Sequence, residues 1–146
     1  GSGRCDLCHF GPNFTNGEFH DIGLQPFLTT GRVDMGRYGG IKLLRASRYN
    51  LLGPFNDDPD RRTAGFTRHV RLTPKNLGEF RVPSLRNVSE TAPYMHDGSK
   101  ATLEAVVRHY SKIPEEHLRQ DSEKLLRPLN LTDAEITDLV AFLKTL

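Results

Sequence analysis

The chain has 146 residues, of which 36% are hydrophobic and 26% are charged, and its net charge is +2. This composition is typical of one globular domain that is large enough to bury a hydrophobic core. It excludes two classes of protein, because the chain has no dense basic stripe for a nucleic acid and no run of about 18 apolar residues for a membrane span.

The first predicted element is the motif Cys-x-x-Cys-His, which is formed by Cys5, Cys8 and His9. A disulfide is disfavoured because such redox motifs usually open a helix in a βαβ unit, which this sequence lacks. A zinc site is disfavoured because zinc needs four ligands, and the other histidines form no paired spacing. Covalent attachment of a haem uses all three residues, with two thioethers and one iron ligand. The motif therefore favours a c-type haem, and zinc stays as the alternative.

Two interpretations of Gly11-Pro12, which follows the motif, are equally supported. The Pro12 carbonyl accepts a hydrogen bond from His9 Nδ1 and orients the imidazole, or the pair is only a turn.

The first two thirds of the chain are rich in glycine and proline, which predicts long loops. Residues 14–24 contain an Asn-Gly turn and predict a loop or a short hairpin. Residues 31–40 are loop-like, and residues 41–53 are compatible with a short helix. Thr73-Pro74 predicts a helix start that Gly78 cuts short, and residues 84–88 predict another short helix.

Two helices are predicted in the carboxy-terminal part. Residues 101–112 place apolar side chains on one helical face, with Thr102 as a candidate N-cap. Residues 131–146 contain Thr132 and Glu135, which have the spacing of a capping box. An apolar stripe follows at Ile136, Leu139, Val140, Leu143 and Leu146.

Three segments, "RCDLCHFGPNFTNGEFHDIGL", "FRVPSLRNVSETAPYMHDGSKATLEAVVRHY" and "LTDAEITDLVAFLKTL", resemble the carboxy-terminal haem domain of the bacterial dihaem cytochrome c peroxidase and MauG family. The resemblance implies an all-α, cytochrome c-like haem domain with long loops over residues 1–146. Residues 33–74 match only loosely and are expected to form a loop-rich insertion.

Members of that family have two haem domains, whereas this sequence has one haem motif close to its first residue. The helix that usually precedes the motif is missing. We therefore expect the chain to be the carboxy-terminal part of a longer protein, whose amino-terminal haem domain is its partner.

The second axial ligand of the iron decides what a haem does. Met95 is a candidate from the residues alone, because a thioether opposite histidine is typical of an electron carrier. The resemblance implies Tyr110, because MauG-like members place a tyrosine ligand at the end of the helix after "TLE". Tyr110 is therefore the first choice, and Met95 is the alternative.

The resemblance implies two further contacts. Family members bind calcium between their domains, and here its ligands are the backbone carbonyls of Thr91 and Pro93. One of Arg81 and Arg86 is expected to pair with a haem propionate.

The implied function is that of a haem c domain in an oxidoreductase, with one covalent haem and a periplasmic location. This domain relays electrons or stores oxidising equivalents, while hydrogen peroxide reacts at the second haem. A redox protein donor or a protein substrate is the expected partner. No catalytic residue is assigned, and the isolated chain is not expected to be competent alone. The alternative is a monohaem electron-transfer module without catalysis.

Overall fold

A computed structural model describes residues 3–24, 27–28, 30–117 and 125–146. Its strands and α-helices, in chain order, are β1 (Phe19–Asp21), α1 (Arg37–Ala46), α2 (Gly65–Arg68), β2 (Glu79–Arg81), α3 (Leu103–Ser111) and α4 (Asp133–Leu143). Short 3₁₀ turns lie at Cys5–Leu7, Pro74–Asn76, Val88–Glu90 and Glu115–His117. Long loops join these elements, as the glycine and proline content predicts. Within the described ranges, no helix is both long and apolar enough to cross a membrane.

The expectation of an all-α fold is wrong, because β1 and β2 form a two-stranded antiparallel sheet. His20 lies opposite Phe80 at the centre of this pairing. Each strand has only three residues, which is too short for an alternating pattern to be visible in the sequence. The two strands are also far apart along the chain, so no local turn signals their pairing.

Several local expectations need adjusted boundaries. Helix α1 begins at Arg37, inside the stretch 31–40 that looks loop-like. Burial of the apolar residue Ile41 stabilises this helix despite the glycines that precede it. The predicted start at Thr73-Pro74 is confirmed, but the helix is a single 3₁₀ turn. The short helix expected at residues 84–88 is instead a 3₁₀ turn at Val88–Glu90.

The two carboxy-terminal helices are confirmed together with their caps. The Thr102 hydroxyl accepts a hydrogen bond from the Ala105 amide at 3.1 Å at the start of α3. The Thr132 hydroxyl accepts from the Glu135 amide at 3.3 Å, while the Glu135 carboxylate accepts from the Thr132 amide at 2.9 Å. Helix α4 thus has the reciprocal capping box that the sequence predicts.

A hydrophobic core joins α3 to α4. Val107 of α3, Ile136 of α4 and Leu131, which precedes α4, are buried together, and Ile136 is only 2% exposed. Partly buried apolar side chains pack around these three, namely Leu129, Leu139, Val140 and Leu143. The stripe on α4 therefore packs against α3, and this pair of helices forms a wall of the cavity described next.

Candidate functional site

The Cys-x-x-Cys-His motif folds as a tight 3₁₀ turn. The amides of Cys8 and His9 both donate to the Cys5 carbonyl, at 3.3 and 2.8 Å. The two cysteines are not joined by a disulfide. Both cysteines and His9 line one cavity of about 440 Å³, so the turn presents all three side chains to the same space.

The imidazole of His9 is held by the backbone of its own loop. Its Nδ1 lies 2.9 Å from the carbonyl oxygen of Phe14, to which it donates in the neutral Nδ1–H tautomer. The interpretation that the Pro12 carbonyl accepts this bond is therefore wrong, because the loop turns back at Phe14, whose φ is +48°. With Nδ1 engaged in this way, Nε2 is the nitrogen left for a metal.

Burial lowers the pKa of His9 below its ordinary value, although the carbonyls of Phe14 and Pro83 act in the opposite direction. A lowered pKa favours the neutral imidazole, which is the form that binds a metal ion.

The cavity opens between the motif and four other parts of the chain. The lining comes from both strands, from the segment 91–96, from α3, and from the segment 125–129 with the end of α4. Its volume falls within the range of about 300–1,000 Å³ that is typical of small-molecule and cofactor sites. Apolar side chains form much of the wall, including Leu7, Ile22, Phe80, Val82, Leu85, Leu103, Val106, Leu126, Leu129 and Leu143.

Tyr110 lies on this cavity wall, in the last turn of α3. Burial raises the pKa of its phenol far above the ordinary value, and the nearby thiols of Cys5 and Cys8 add to this shift. Tyr110 therefore shares this cavity with Cys5, Cys8 and His9.

Met95 lies on the same wall, in the loop that carries residues 91–98. This residue has a φ of +70°, and a bridge between Tyr94 and Lys100 closes the loop, with the Tyr94 amide donating to the Lys100 carbonyl at 2.7 Å. The structure therefore brings both predicted distal residues to one cavity.

The other two histidines near these residues are held by different contacts. His109 Nε2 lies 3.0 Å from the Ile22 carbonyl oxygen, and this ring is not among those that line the cavity. The ring of His96 stacks on Phe80, with 3.5 Å between the ring centroids and an angle of 12°. Its buried Nδ1 has no hydrogen-bond partner in the described part of the chain. The sequence contains no local signal of this stacked pair, because Phe80 and His96 lie on separate segments.

The two candidate arginines have different surroundings. Arg81 of β2 lines the cavity, and its Nε donates to the Gly17 carbonyl at 3.3 Å. Arg86 does not line the cavity and instead donates to the Pro12 carbonyl from Nε at 2.9 Å and from Nη2 at 2.7 Å.

Thr91 and Pro93 also border the cavity. The Thr91 hydroxyl donates to the Val88 carbonyl at 3.1 Å, so the segment turns tightly at this point. Among the described residues, no group of three or more His, Cys, Asp or Glu side chains is arranged to hold a metal ion. This finding concerns side chains only and does not test a calcium site built from backbone carbonyls.

The residues present fit a haem. The cavity is of cofactor size and largely apolar, it has the two thiols and an imidazole with a fixed tautomer on one side, and it buries an unpartnered polar atom of His96. These features together describe a c-type haem-binding domain.

No protein-family model matches the chain. Individual proteins that are similar to it indicate the kind of haem protein more closely. The cytochrome-c peroxidase IdrP1 of Pseudomonas sp. (strain SCT) is 34% identical over 149 aligned positions, which cover 100% of this chain and 37% of that protein. The methylamine utilization protein MauG of Methylorubrum extorquens is 33% identical, over 100% of this chain and 31% of that protein.

A solved structure agrees with these relatives. The crystal structure of a MauG-like protein associated with microbial copper homeostasis is similar to the chain with a TM-score of 0.60 and 30% identity, over 100% of this chain and 40% of that one. The chain thus spans less than half the length of the relatives it matches. It belongs to the bacterial cytochrome c peroxidase and MauG family. This membership supports a haem-related redox role with haem c as the cofactor.

Proposed function

We propose that this chain is the carboxy-terminal haem domain of a dihaem oxidoreductase. In the whole protein it relays electrons or stores oxidising equivalents for hydrogen peroxide-dependent chemistry at a second haem. The observation that carries this proposal is the placement of Cys5, Cys8 and His9 on one cavity with Tyr110 and Met95. The names of the relatives, which include cytochrome-c peroxidases, support the same class of reaction.

The motif residues attach the cofactor. Cys5 and Cys8 would hold the haem through one thioether each, formed by adding each S–H across one vinyl group. His9 would bind the iron through Nε2, since its Nδ1–H donates to the Phe14 carbonyl. The bound haem supplies a redox-active iron, and the apolar wall excludes water from it.

Tyr110 is the proposed distal ligand. In the protein alone its phenol stays protonated, because burial raises its pKa. A cation beside the oxygen reverses that preference and favours the phenolate. An anionic oxygen ligand stabilises oxidised iron, which suits the storage of an oxidising equivalent better than simple electron delivery does.

Met95 supports a second candidate function. It shares the cavity with Tyr110, and a thioether ligand opposite His9 would produce a high-potential electron carrier. In that case the chain is an electron-transfer module without catalysis of its own.

Two further contacts belong to the proposal. Arg81 pairs with a haem propionate, since this arginine rather than Arg86 lines the cavity. The carbonyls of Thr91 and Pro93 bind calcium together with a ligand from the amino-terminal haem domain. A periplasmic location and a redox protein as donor or substrate complete the assignment, and both rest on the family resemblance.

Haem attachment tests the proposal. The full-length protein is produced in a bacterial periplasm with the c-type haem maturation machinery, beside the variants Cys5→Ala with Cys8→Ala and, as a control, Ser89→Ala. We expect the cysteine variant to lose the mass of one covalent haem and the control to keep it. An unchanged mass in the cysteine variant, or a colourless parent that binds zinc, would contradict the proposal.

A further inference from the structure

The acceptor of the His9 hydrogen bond belongs to a residue in an uncommon conformation. Phe14 has a φ of +48°, a left-handed region that bulky side chains rarely occupy. Such a conformation persists only where surrounding contacts hold it. Whatever holds Phe14 therefore also determines where its carbonyl lies, and with it the direction of the His9 Nδ1–H bond at 2.9 Å.

Arg86 is the residue that contacts this loop on both sides of Asn13. Its Nε and Nη2 both donate to the Pro12 carbonyl, at 2.9 and 2.7 Å. The guanidinium carbon also lies 4.9 Å from the centroid of the Phe14 ring, in a cation–π contact. Phe142 of α4 meets the same ring edge-on, with 6.5 Å between centroids. The ring of Phe14 is thus held between an arginine and the last turn of α4.

Neighbours of Arg86 hold the rest of the loop. The Ser84 hydroxyl donates to the Asn13 carbonyl at 2.7 Å, and the Thr15 hydroxyl donates to the Val82 carbonyl at 2.7 Å. Residues 82–86 therefore bind residues 12–15 along their length. Within this set, Arg86 makes the contact with the ring of the acceptor residue itself.

We infer that Arg86 is a positioning residue for the proximal histidine, which it directs through Phe14. This inference rests on the proposed function, in which His9 ligates the haem iron. A strong bond from Nδ1–H to a carbonyl increases the electron donation of an imidazole ligand and lowers the reduction potential of its iron. Arg86 acts in this way from outside the cavity, without touching the haem.

The experiment compares Arg86→Lys with Phe14→Leu in the full-length, haem-loaded protein. Lysine keeps the charge but cannot provide both the two-pronged hydrogen bond and the planar face. Phe14→Leu breaks the same contact from the other side and serves if Arg86→Lys does not fold. Arg48→Lys is the matched control, because Arg48 also lies over a phenylalanine, Phe55, at 5.3 Å, but not on this loop.

Three readouts are expected to change in Arg86→Lys and in Phe14→Leu and to stay unchanged in the control Arg48→Lys. The reduction potential of this haem rises, and the g-values of its low-spin electron paramagnetic resonance signal shift as the imidazole plane turns. Exchange of the Phe14 amide, which donates to the Gly11 carbonyl at 3.0 Å, accelerates about tenfold. In the double variant the effects do not add, because both changes remove one contact.

Other outcomes separate this inference from the proposed function. A faster amide exchange with an unchanged potential and g-values would make Arg86 merely structural and overturn the inference. A protein without haem at Cys5 and Cys8 would overturn the proposed function. That result would overturn the inference as well, because His9 would then ligate no iron for Arg86 to influence.

Discussion

Replacement of Ile136 by alanine tests the packing that places the cavity wall. Ile136 is 2% exposed and lies in the cluster with Val107 and Leu131, between α3 and α4. Replacing a buried isoleucine by alanine lowers the free energy of unfolding by about 2–5 kcal/mol, whereas Ile→Val lowers it by about 0.5–1.5 kcal/mol. Because the core is shared by two helices that both line the cavity, we expect Ile136→Ala to lie within the larger range and to broaden the haem absorption bands.

Denaturant unfolding of the full-length protein, followed by far-ultraviolet circular dichroism, measures this effect. The control is Leu43→Ala, because Leu43 is 74% exposed and its loss should change the free energy of unfolding by no more than about 0.5 kcal/mol. The expected order of destabilisation is Ile136→Ala, then Ile136→Val, then Leu43→Ala. If Ile136→Ala destabilises the protein no more than Leu43→Ala does, Ile136 does not stabilise the contact between α3 and α4.

Three more predictions concern α4 and the cavity rim. Thr132→Ala should destabilise the protein by about 0.5–2 kcal/mol, because α4 loses its N-cap; an unchanged unfolding midpoint would contradict the cap. The Thr132 hydrogen bonds lower the pKa of Glu135 below its ordinary value, so they stabilise the folded state above the ordinary pKa of a glutamate. This stabilisation is lost as the pH falls through the lowered folded pKa. Acid titration of the unfolding midpoint should therefore be less steep in Glu135→Gln, and equal slopes would refute the assignment. Arg81→Met should lower the reduction potential of the haem, because it removes a positive charge from the cavity rim and leaves the propionate's negative charge to stabilise oxidised iron. It should also shift the propionate bands in resonance Raman spectra, and an unaltered spectrum and potential would exclude the pairing.

The elements that were predictable from the sequence depend on local interactions. The capping box of α4 needs only Thr132 and Glu135, which are three residues apart, and the stripe behind it repeats at helical spacing. The haem motif is equally local, because Cys5, Cys8 and His9 lie within one turn. Patterns of this kind involve only residues that are neighbours in the chain, so they can be recognised without knowing the tertiary contacts.

The elements that were not predictable depend on distant pairs. Strand β1 pairs with β2 across a long excursion of the chain, and three residues a side are too few to show an alternating pattern. The His9 acceptor is Phe14 rather than Pro12, and the Pro12 carbonyl instead accepts from Arg86, which lies on a distant segment. The stacking of Phe80 on His96 also joins separate segments. Such contacts appear only when the chain is folded.

The distal ligand is tested most directly by the electron paramagnetic resonance and optical spectra of the oxidised full-length protein and of its variants Tyr110→Phe and Met95→Leu. We expect Tyr110→Phe to abolish the low-spin signal of this haem and Met95→Leu to leave it almost unchanged. The reverse order, with a thioether-to-iron charge-transfer band that disappears in Met95→Leu, would contradict the tyrosine ligand and identify an electron carrier.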